Sequence, residues 1–186
     1  MARLIDEIGP PRMRRPQPSA FEAIARSIAF QQLAGAAANA IYTRFRALVP
    51  GPLSAPAVLA LPEEAMRSVG LSGSKVASIQ DLARREVAGE LRLRGLSRLD
   101  DDAIIERLVT VRGVGVWTAQ MFLIFQLRRP DVWPTGDLGV RKGFGIAHRL
   151  PAMPTPAELD LEGDRFRPWR SVAAWYCWRA TDTPTP

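Results

Sequence analysis

The sequence predicts an all-α protein. Three observations lead there. Apolar residues recur at three- and four-residue intervals behind recognisable helix caps. No convincing strand alternation occurs. Glycine and proline cluster between the periodic stretches, where a chain of helices needs its breaks. Residues 91–99 are the single ambiguous stretch.

The elements follow in order. Ser19-Ala20-Phe21-Glu22 has the serine and glutamate spacing of a capping box. Phe21, Ile24 and Ile28 continue at helical intervals, so a helix begins near residue 20. Gly35 interrupts it before a second helical stretch, about 36–48, which Pro50, Pro52 and Pro56 close. Short helices are predicted at 55–60 and 62–69, with Gly70 as the stop. A longer one runs over 73–88, with Val76, Ile79 and Leu82 on one face. Asp100, Asp101 and Asp102 supply acidic residues where a helix start favours them. Ile104, Ile105, Leu108 and Val109 then make its buried stripe. Residues 117–127 read as an almost wholly apolar, buried helix. Another helix follows Asp137. Thr155-Pro156-Ala157-Glu158 opens the next, with proline at the first helical position. Residues 169–180 form the last helix, and the tail TDTPTP is expected to be disordered.

Composition narrows the function. The chain has 186 residues, enough for one good core or two small lobes, and 47% of them are hydrophobic. The formal net charge of +6 favours a polyanionic partner, nucleic acid before a membrane surface. Cys177 is the sole cysteine and His148 the sole histidine. An internal disulfide, a four-thiolate metal site and a His-rich metal centre are therefore excluded. His148 reads best as a helix-end or surface residue. No apolar run reaches membrane-spanning length, and the N-terminus lacks the apolar segment of a signal peptide. A cytoplasmic, reducing environment fits best.

Between the helix that starts near Asp100 and the apolar helix lies Val111-Arg112-Gly113-Val114-Gly115. Gly113 and Gly115 permit a sharp turn with positive dihedral angles and present no side chain to an approaching ligand. Val114 can tuck inward and pin the turn. The free amides at the start of the following helix form a ready site for a phosphate oxygen. Such contacts fix position on DNA without reading sequence. Locally, Asp137 in PTGDLGVRKGF reads as a helix cap first, since aspartate is a favoured cap. A reacting carboxylate is the second reading, and the two roles are compatible.

LVTVRGVGVWTAQMFLIF followed by DVWPTGDLGVRKGF resembles the helix–hairpin–helix, Gly/Pro-rich-loop, aspartate (HhH-GPD) superfamily of DNA base-excision glycosylases. GLSGSKVASIQDLA is similar to the family's lysine-bearing helix before the hairpin. RPWRSVAAWYCWRA and FEAIARSIAFQQLAG resemble the closing helix and the helix carrying the DNA-probing loop in the alkylated-base (3-methyladenine) branch. The resemblance spans nearly all of the chain and lacks the additional N-terminal β-domain of larger relatives. It implies two helical lobes with a DNA-binding cleft between them. Residues 30–133 would hold the hairpin. Residues 1–29 with 134–186 would form the second lobe, with Asp137 at the mouth of the cleft.

The resemblance also implies roles. Asp137 becomes the catalytic carboxylate. The lysine with which lyase-active relatives cut the backbone falls on Trp117, so no covalent step is expected. Gln31, Gln32 and Leu33 match the probing segment, with Gln32 or Leu33 as the wedge. Trp178 matches the tryptophan that stacks on an extruded base, and Trp117 and Trp175 are further aromatic candidates. Met121 and Leu138 align with tyrosines of larger relatives and would shape the base pocket. Arg112, Gly113, Gly115, Thr118, Arg141 and Lys142 would contact phosphates. No metal and no organic cofactor are required, although family hairpins can hold a monovalent cation on backbone carbonyls.

The expected activity is hydrolysis of the N-glycosidic bond of alkylated purines in double-stranded DNA, by a monomer. Alternatives are the same hydrolysis of deaminated or oxidised bases, or a lesion-binding protein of this fold without turnover.

Overall fold

The computed structural model describes residues 2–33 and 35–181. Those residues form eleven α-helices, short 3-10 turns and one π-helical turn, with no strand among them. The tail expected to be disordered, 181–186, lies outside the described residues except for Thr181, which is ordered as the C-cap of the last helix. The chain divides into two compact units: Met1–Arg15 with Leu123–Pro186, and Pro16–Phe122. The sequence reading drew its lobes at 30 and 133. The helix that starts near residue 20 instead belongs to the same unit as the hairpin.

The unit Pro16–Phe122 contains α2 (Ala20–Phe30), α3 (Gly35–Ala47), α4 (Ala55–Leu59), α5 (Glu63–Ser68), α6 (Gly73–Val87), α7 (Asp101–Leu108) and α8 (Val116–Met121). Helix α6 is its spine, packed by α2, α4 and α5. Ser72 caps it by accepting the Lys75 amide. Val76, Ile79 and Leu82 are fully buried on one face, as their spacing predicts. Each such side chain contributes roughly 1.5–3 kcal/mol on burial. This packing, more than intrinsic propensity, holds the helix.

Several local readings need correcting. Ser19 does cap α2, accepting the Glu22 amide. The Glu22 carboxylate does not return to the cap. It turns inward, accepts the Tyr42 hydroxyl at 3.0 Å and pairs with Arg46 at 3.4 Å. Burial, then the Glu22 charge, raise the Tyr42 pKa well above its ordinary value. On α7 only Ile104 and Leu108 are fully buried, while Val109 sits past the helix end and is exposed. Residues 91–99 form no strand. Leu91, Leu93 and Leu96 anchor an irregular segment with a 3-10 turn at Leu96–Arg98.

The apolar stretch 117–127 is not one α-helix. α8 ends at Met121 and a π-helical turn, Phe122–Gln126, carries the chain into the other unit.

The second unit contains α1 (Ala2–Ile8), α9 (Leu138–His148), α10 (Pro156–Leu161) and α11 (Arg170–Ala180). Helix α1 was not foreseen. It is short, and Tyr176 of α11 holds its end by donating to the Gly9 carbonyl at 2.8 Å. Helix α10 has the full reciprocal capping box between Thr155 and Glu158, with proline at its start.

The principal contact of this unit is α9 on α11. Gly139 and Gly143, four residues apart, share one face of α9. A Cβ on Gly143 would lie 1.8 Å from the Cys177 carbonyl oxygen, so the two helix backbones meet where only glycine fits.

Candidate functional site

Asp137 lies at the N-cap of α9, with extended backbone angles. The turn before it closes through the Asp137 amide, which donates to the Pro134 carbonyl at 2.9 Å. Its Oδ1 accepts the Val140 amide at 2.8 Å, so the cap predicted from sequence is present. The same oxygen accepts Trp178 Nε1 at 2.8 Å. The residue is only 7% exposed. A buried carboxylate is costly unless hydrogen-bonded, and charge-assisted donors of this kind hold it in place.

Two features bring Trp178 to that oxygen. Gly139 is the first. A Cβ there would stand 2.8 Å from Trp178 Cδ1 and 3.2 Å from Asp137 Oδ1. The second is the stitching of α11 onto the segment that leads to Asp137. Ser171 Oγ accepts the Val132 amide at 3.0 Å and donates to the Arg129 carbonyl at 2.7 Å. Arg170 grips Asp131 through Nε at 2.8 Å and Nη2 at 3.1 Å, and Arg167 adds a contact at 2.9 Å. Burial pushes the Asp131 carboxyl upward, but the Arg170 hydrogen bond and charge, with Arg167, outweigh it and hold the group below its ordinary value. Ser171 and Trp178 are seven residues apart, two helical turns, and so share a face of α11.

The other aromatic and apolar candidates separate by exposure. Trp178 is 1% exposed, with its ring tilted against Phe125 at 5.5 Å. It therefore offers no open face for stacking here and acts instead on the carboxylate. Met121 and Trp175 are buried as well. Trp117 is 38% exposed and Leu138, directly after Asp137, is 63% exposed.

In the hairpin, Gly113 has φ +72° and packs so closely on Ser78 that a Cβ would lie 2.6 Å from its Oγ. Gly115 does not use a positive angle. Its φ is −98°, and it caps α8 with open space where a side chain would stand. Val114 is buried, as expected for the pin. The Arg112 amide donates to Asp81 Oδ2 at 2.9 Å, leaving its side chain at an exposed position.

Thr118 is buried, and its hydroxyl accepts from Gln31 Nε2 at 3.2 Å. Gln31 also donates to the Gly113 carbonyl at 2.9 Å. Gln31 is thus a tether to the hairpin. Gln32 and Leu33 remain at the exposed tip of the α2–α3 turn, Gln32 with φ +57° and Leu33 39% exposed. Arg141 Nε donates to the Pro154 carbonyl at 2.8 Å, whereas Lys142 is exposed.

Among the described residues no three His, Cys, Asp or Glu side chains are grouped to hold a metal ion. A monovalent cation on the hairpin would share carbonyls already in use, since Val111 accepts the Val114 amide and Gly113 accepts Gln31. Each carbonyl keeps a second lone pair, so these groups fit such an ion as additional acceptors. No helix among the described residues is long and apolar enough to cross a membrane.

Sequence reasoning did not single out Gly139, Ser171, Asp131 or Phe125. PWRS and PDVW carry the signal for the Arg170–Asp131 pair, but only the fold brings them together.

Comparison with known proteins identifies the family. The family model of the HhH-GPD superfamily base excision DNA repair proteins matches residues 25–168. The chain is 35% identical to DNA-3-methyladenine glycosylase 1 of Schizosaccharomyces pombe over 185 residues, covering 97% of this chain and 80% of that protein. The structure of the Schizosaccharomyces pombe 3-methyladenine DNA glycosylase in complex with abasic DNA superposes with a TM-score of 0.90 at 33% identity, covering 98% of this chain and 91% of that one. A DNA-3-methyladenine glycosidase from Bacillus halodurans gives 0.84 at 32% identity, covering 98% and 85%. The chain belongs to the HhH-GPD superfamily of base excision DNA repair proteins.

Proposed function

We propose that the protein is a monofunctional DNA glycosylase that hydrolyses the N-glycosidic bond of alkylated purines of the 3-methyladenine and 7-methylguanine type. The observation that carries this is the buried Asp137 carboxylate, fixed by the Val140 amide and the Trp178 indole. The similarity to the 3-methyladenine glycosylases supports the choice of lesion.

Breaking the bond leaves positive charge on the deoxyribose, as in an oxocarbenium ion. A rigidly held carboxylate stabilises that charge. Water then adds its oxygen to C1′, one proton is released, and the products are the free base and an abasic site. An alkylated purine is already cationic, so it departs as a neutral base with little acid help. Trp117 occupies the position where lyase-active relatives carry a lysine, and Lys75 is engaged with the Ala29 carbonyl. Simple hydrolysis therefore follows.

The substrate is double-stranded DNA, from which the target nucleotide must be extruded. Trp117, 38% exposed on α8, is an aromatic candidate for stacking on a base, and Leu138, 63% exposed, directly follows Asp137 in the chain. Gln32 or Leu33 fills the vacated stack. Arg112, Lys142 and the backbone of the Gly113–Gly115 turn, open at Gly115, hold phosphates. A cation on the Val111 and Gly113 carbonyls would add positive charge for a phosphate. The protein works as a monomer in the cytoplasm, and on the nucleoid if its cell is bacterial.

The test is incubation of the protein with methylated DNA and chromatographic detection of free base. Release of 3-methyladenine or 7-methylguanine that is lost in Asp137→Asn, with duplex affinity kept, is the expected result. Duplex binding without release identifies a lesion binder instead, and release at an undiminished rate from Asp137→Asn removes the carboxylate mechanism.

A further inference from the structure

Three side chains of α6 stand at intervals of three residues: Lys75, Ser78 and Asp81. They fall along one side of the helix, spanning about 9 Å of its axis. Each holds a backbone feature of another element in the same unit. Lys75 Nζ donates to the Ala29 carbonyl at 2.8 Å, at the C-terminal end of α2. Ser78 sits under Gly113, where no Cβ fits. Asp81 accepts the Arg112 amide and is itself fixed by Arg85 at 2.9 Å. Burial lowers the Lys75 pKa, as befits an ammonium withdrawn from water to make this contact.

Helix α6 thus grips the end of α2 at one point and the hairpin at two. Gln31 closes the figure. It follows α2 directly, and its Nε2 reaches the Gly113 carbonyl at 2.9 Å and Thr118 Oγ1 at 3.2 Å. The residue after it, Gln32, is held at φ +57°. A non-glycine residue keeps that angle only where its surroundings over-determine it. The surroundings here are the Gln31 and Lys75 contacts. The next residue, Leu33, is the exposed apolar side chain at the tip.

We propose that Gln31 and Lys75 are positioning residues for base extrusion, tethering the Leu33 turn to the phosphate-binding hairpin so that seating of the hairpin on DNA and insertion into the base stack occur as one step. This rests on the reading of the α2–α3 turn as the DNA-probing segment. Neither residue touches the reacting atoms. With the tether, the turn is delivered at a fixed distance from the anchored phosphate. Without it, the turn must find that position after binding, and the extruded state is less populated.

The experiment compares Gln31→Met, Lys75→Met and Leu33→Ala with the unaltered protein in single-turnover excision. One duplex carries 7-methylguanine paired with cytosine. The other carries it opposite a tetrahydrofuran abasic analogue, where the stack is already broken. Gln31→Met and Lys75→Met are expected to slow excision from the paired duplex about tenfold, the effect of one lost hydrogen bond in the extruded state, and from the unpaired duplex less than about threefold. Lys75→Arg, which keeps a charged donor, is expected to restore the ratio.

Equal slowing on both duplexes in Gln31→Met and Lys75→Met, with or without a lowered melting temperature, is a general structural defect and overturns the proposal. So does no slowing on either. Leu33→Ala separates the two layers of the argument. Pair-selective slowing in Leu33→Ala but not in Gln31→Met leaves the probing turn standing and removes the tether. Absence of pair-selectivity in Leu33→Ala removes the probing turn itself.

Discussion

Trp178 Nε1 donates a 2.8 Å hydrogen bond to Asp137 Oδ1, the oxygen that also caps α9. One atom therefore makes both the helix cap and the indole contact. The cap orients the carboxylate along the helix, and the indole fixes it from the side. Hydrogen bonds to a charged acceptor contribute about 1.5–3 kcal/mol. Trp178→Phe keeps an aromatic ring, though a smaller one, and deletes the donor. Excision is expected to slow by about 10- to 100-fold if that energy is used in the transition state. Single-turnover kinetics with an unchanged far-ultraviolet circular dichroism spectrum checks it. An unaltered rate would show that the indole N–H plays no part.

The glycine pair on α9 gives two different expectations. Alanine at Gly143 meets the Cys177 backbone, which cannot step aside, so Gly143→Ala is expected to cost more than about 4 kcal/mol and to lower the melting temperature by about 10 °C or more. Alanine at Gly139 meets a side chain, the Trp178 ring, and the Asp137 carboxylate. Gly139→Ala should therefore damage excision more than stability. Thermal unfolding and excision rates measured on the same two samples separate the effects.

Much of this was legible in advance. Caps and periodicity located most helices because Ser19, Asp100 and Thr155 each accept an amide three residues on, a local interaction that a sequence displays. The Asp137 cap was legible for the same reason. What escaped depends on long-range contact. Glu22 has the spacing of a capping box, but Tyr42 and Arg46 compete for its carboxylate. Trp178 has the place of a stacking residue in the family pattern, yet α9–α11 packing buries it and turns its N–H to Asp137. Gln31 looked like part of a wedge, since nothing local reveals a carbonyl 82 residues away.

Asp131 ties the segment before Asp137 to the start of α11. Its carboxyl pKa is held below the ordinary value of 3.8, because the Arg170 and Arg167 contacts outweigh burial. A depressed carboxyl contributes stability that is present above its unfolded value and lost as pH falls through its folded one. Asp131→Asn is therefore expected to lower stability by about 1–2 kcal/mol at pH 7, from loss of charge-assisted hydrogen bonds to arginine. The gap to the unaltered protein should shrink below pH 3.8. Urea unfolding at a series of pH values tests both parts.

His148 acts in the same direction in a higher pH window. It stacks on Phe144 at 4.3 Å, and burial, then the Arg165 charge, lower its pKa from 6.5. The unfolded chain therefore binds the proton more readily than the folded one. Stability rises with pH through the window below 6.5, by at most about 1.4 kcal/mol per pH unit from this group. His148→Phe keeps the stack and cannot titrate. Its melting temperature is expected to fall less than that of the unaltered protein between pH 7.5 and pH 5.5, and parallel curves would exclude the histidine as the cause.

Arg141 and Lys142 are neighbours on α9 with different engagements. Arg141 Nε is bonded to the Pro154 carbonyl, and Lys142 is exposed one turn after Asp137. A lysine that neutralises a phosphate releases a counterion, so its loss weakens binding to all sequences and reduces the salt dependence by about one unit of log–log slope. Lys142→Ala is expected to behave this way in fluorescence anisotropy titrations of an undamaged duplex over a range of salt concentrations. Arg141→Ala is expected to lower the melting temperature, because it frees the segment that ends at Pro154, with a smaller effect on the salt slope. If the slope changes in Arg141→Ala and not in Lys142→Ala, the phosphate contact belongs to the arginine, and its bond to Pro154 must give way on binding DNA.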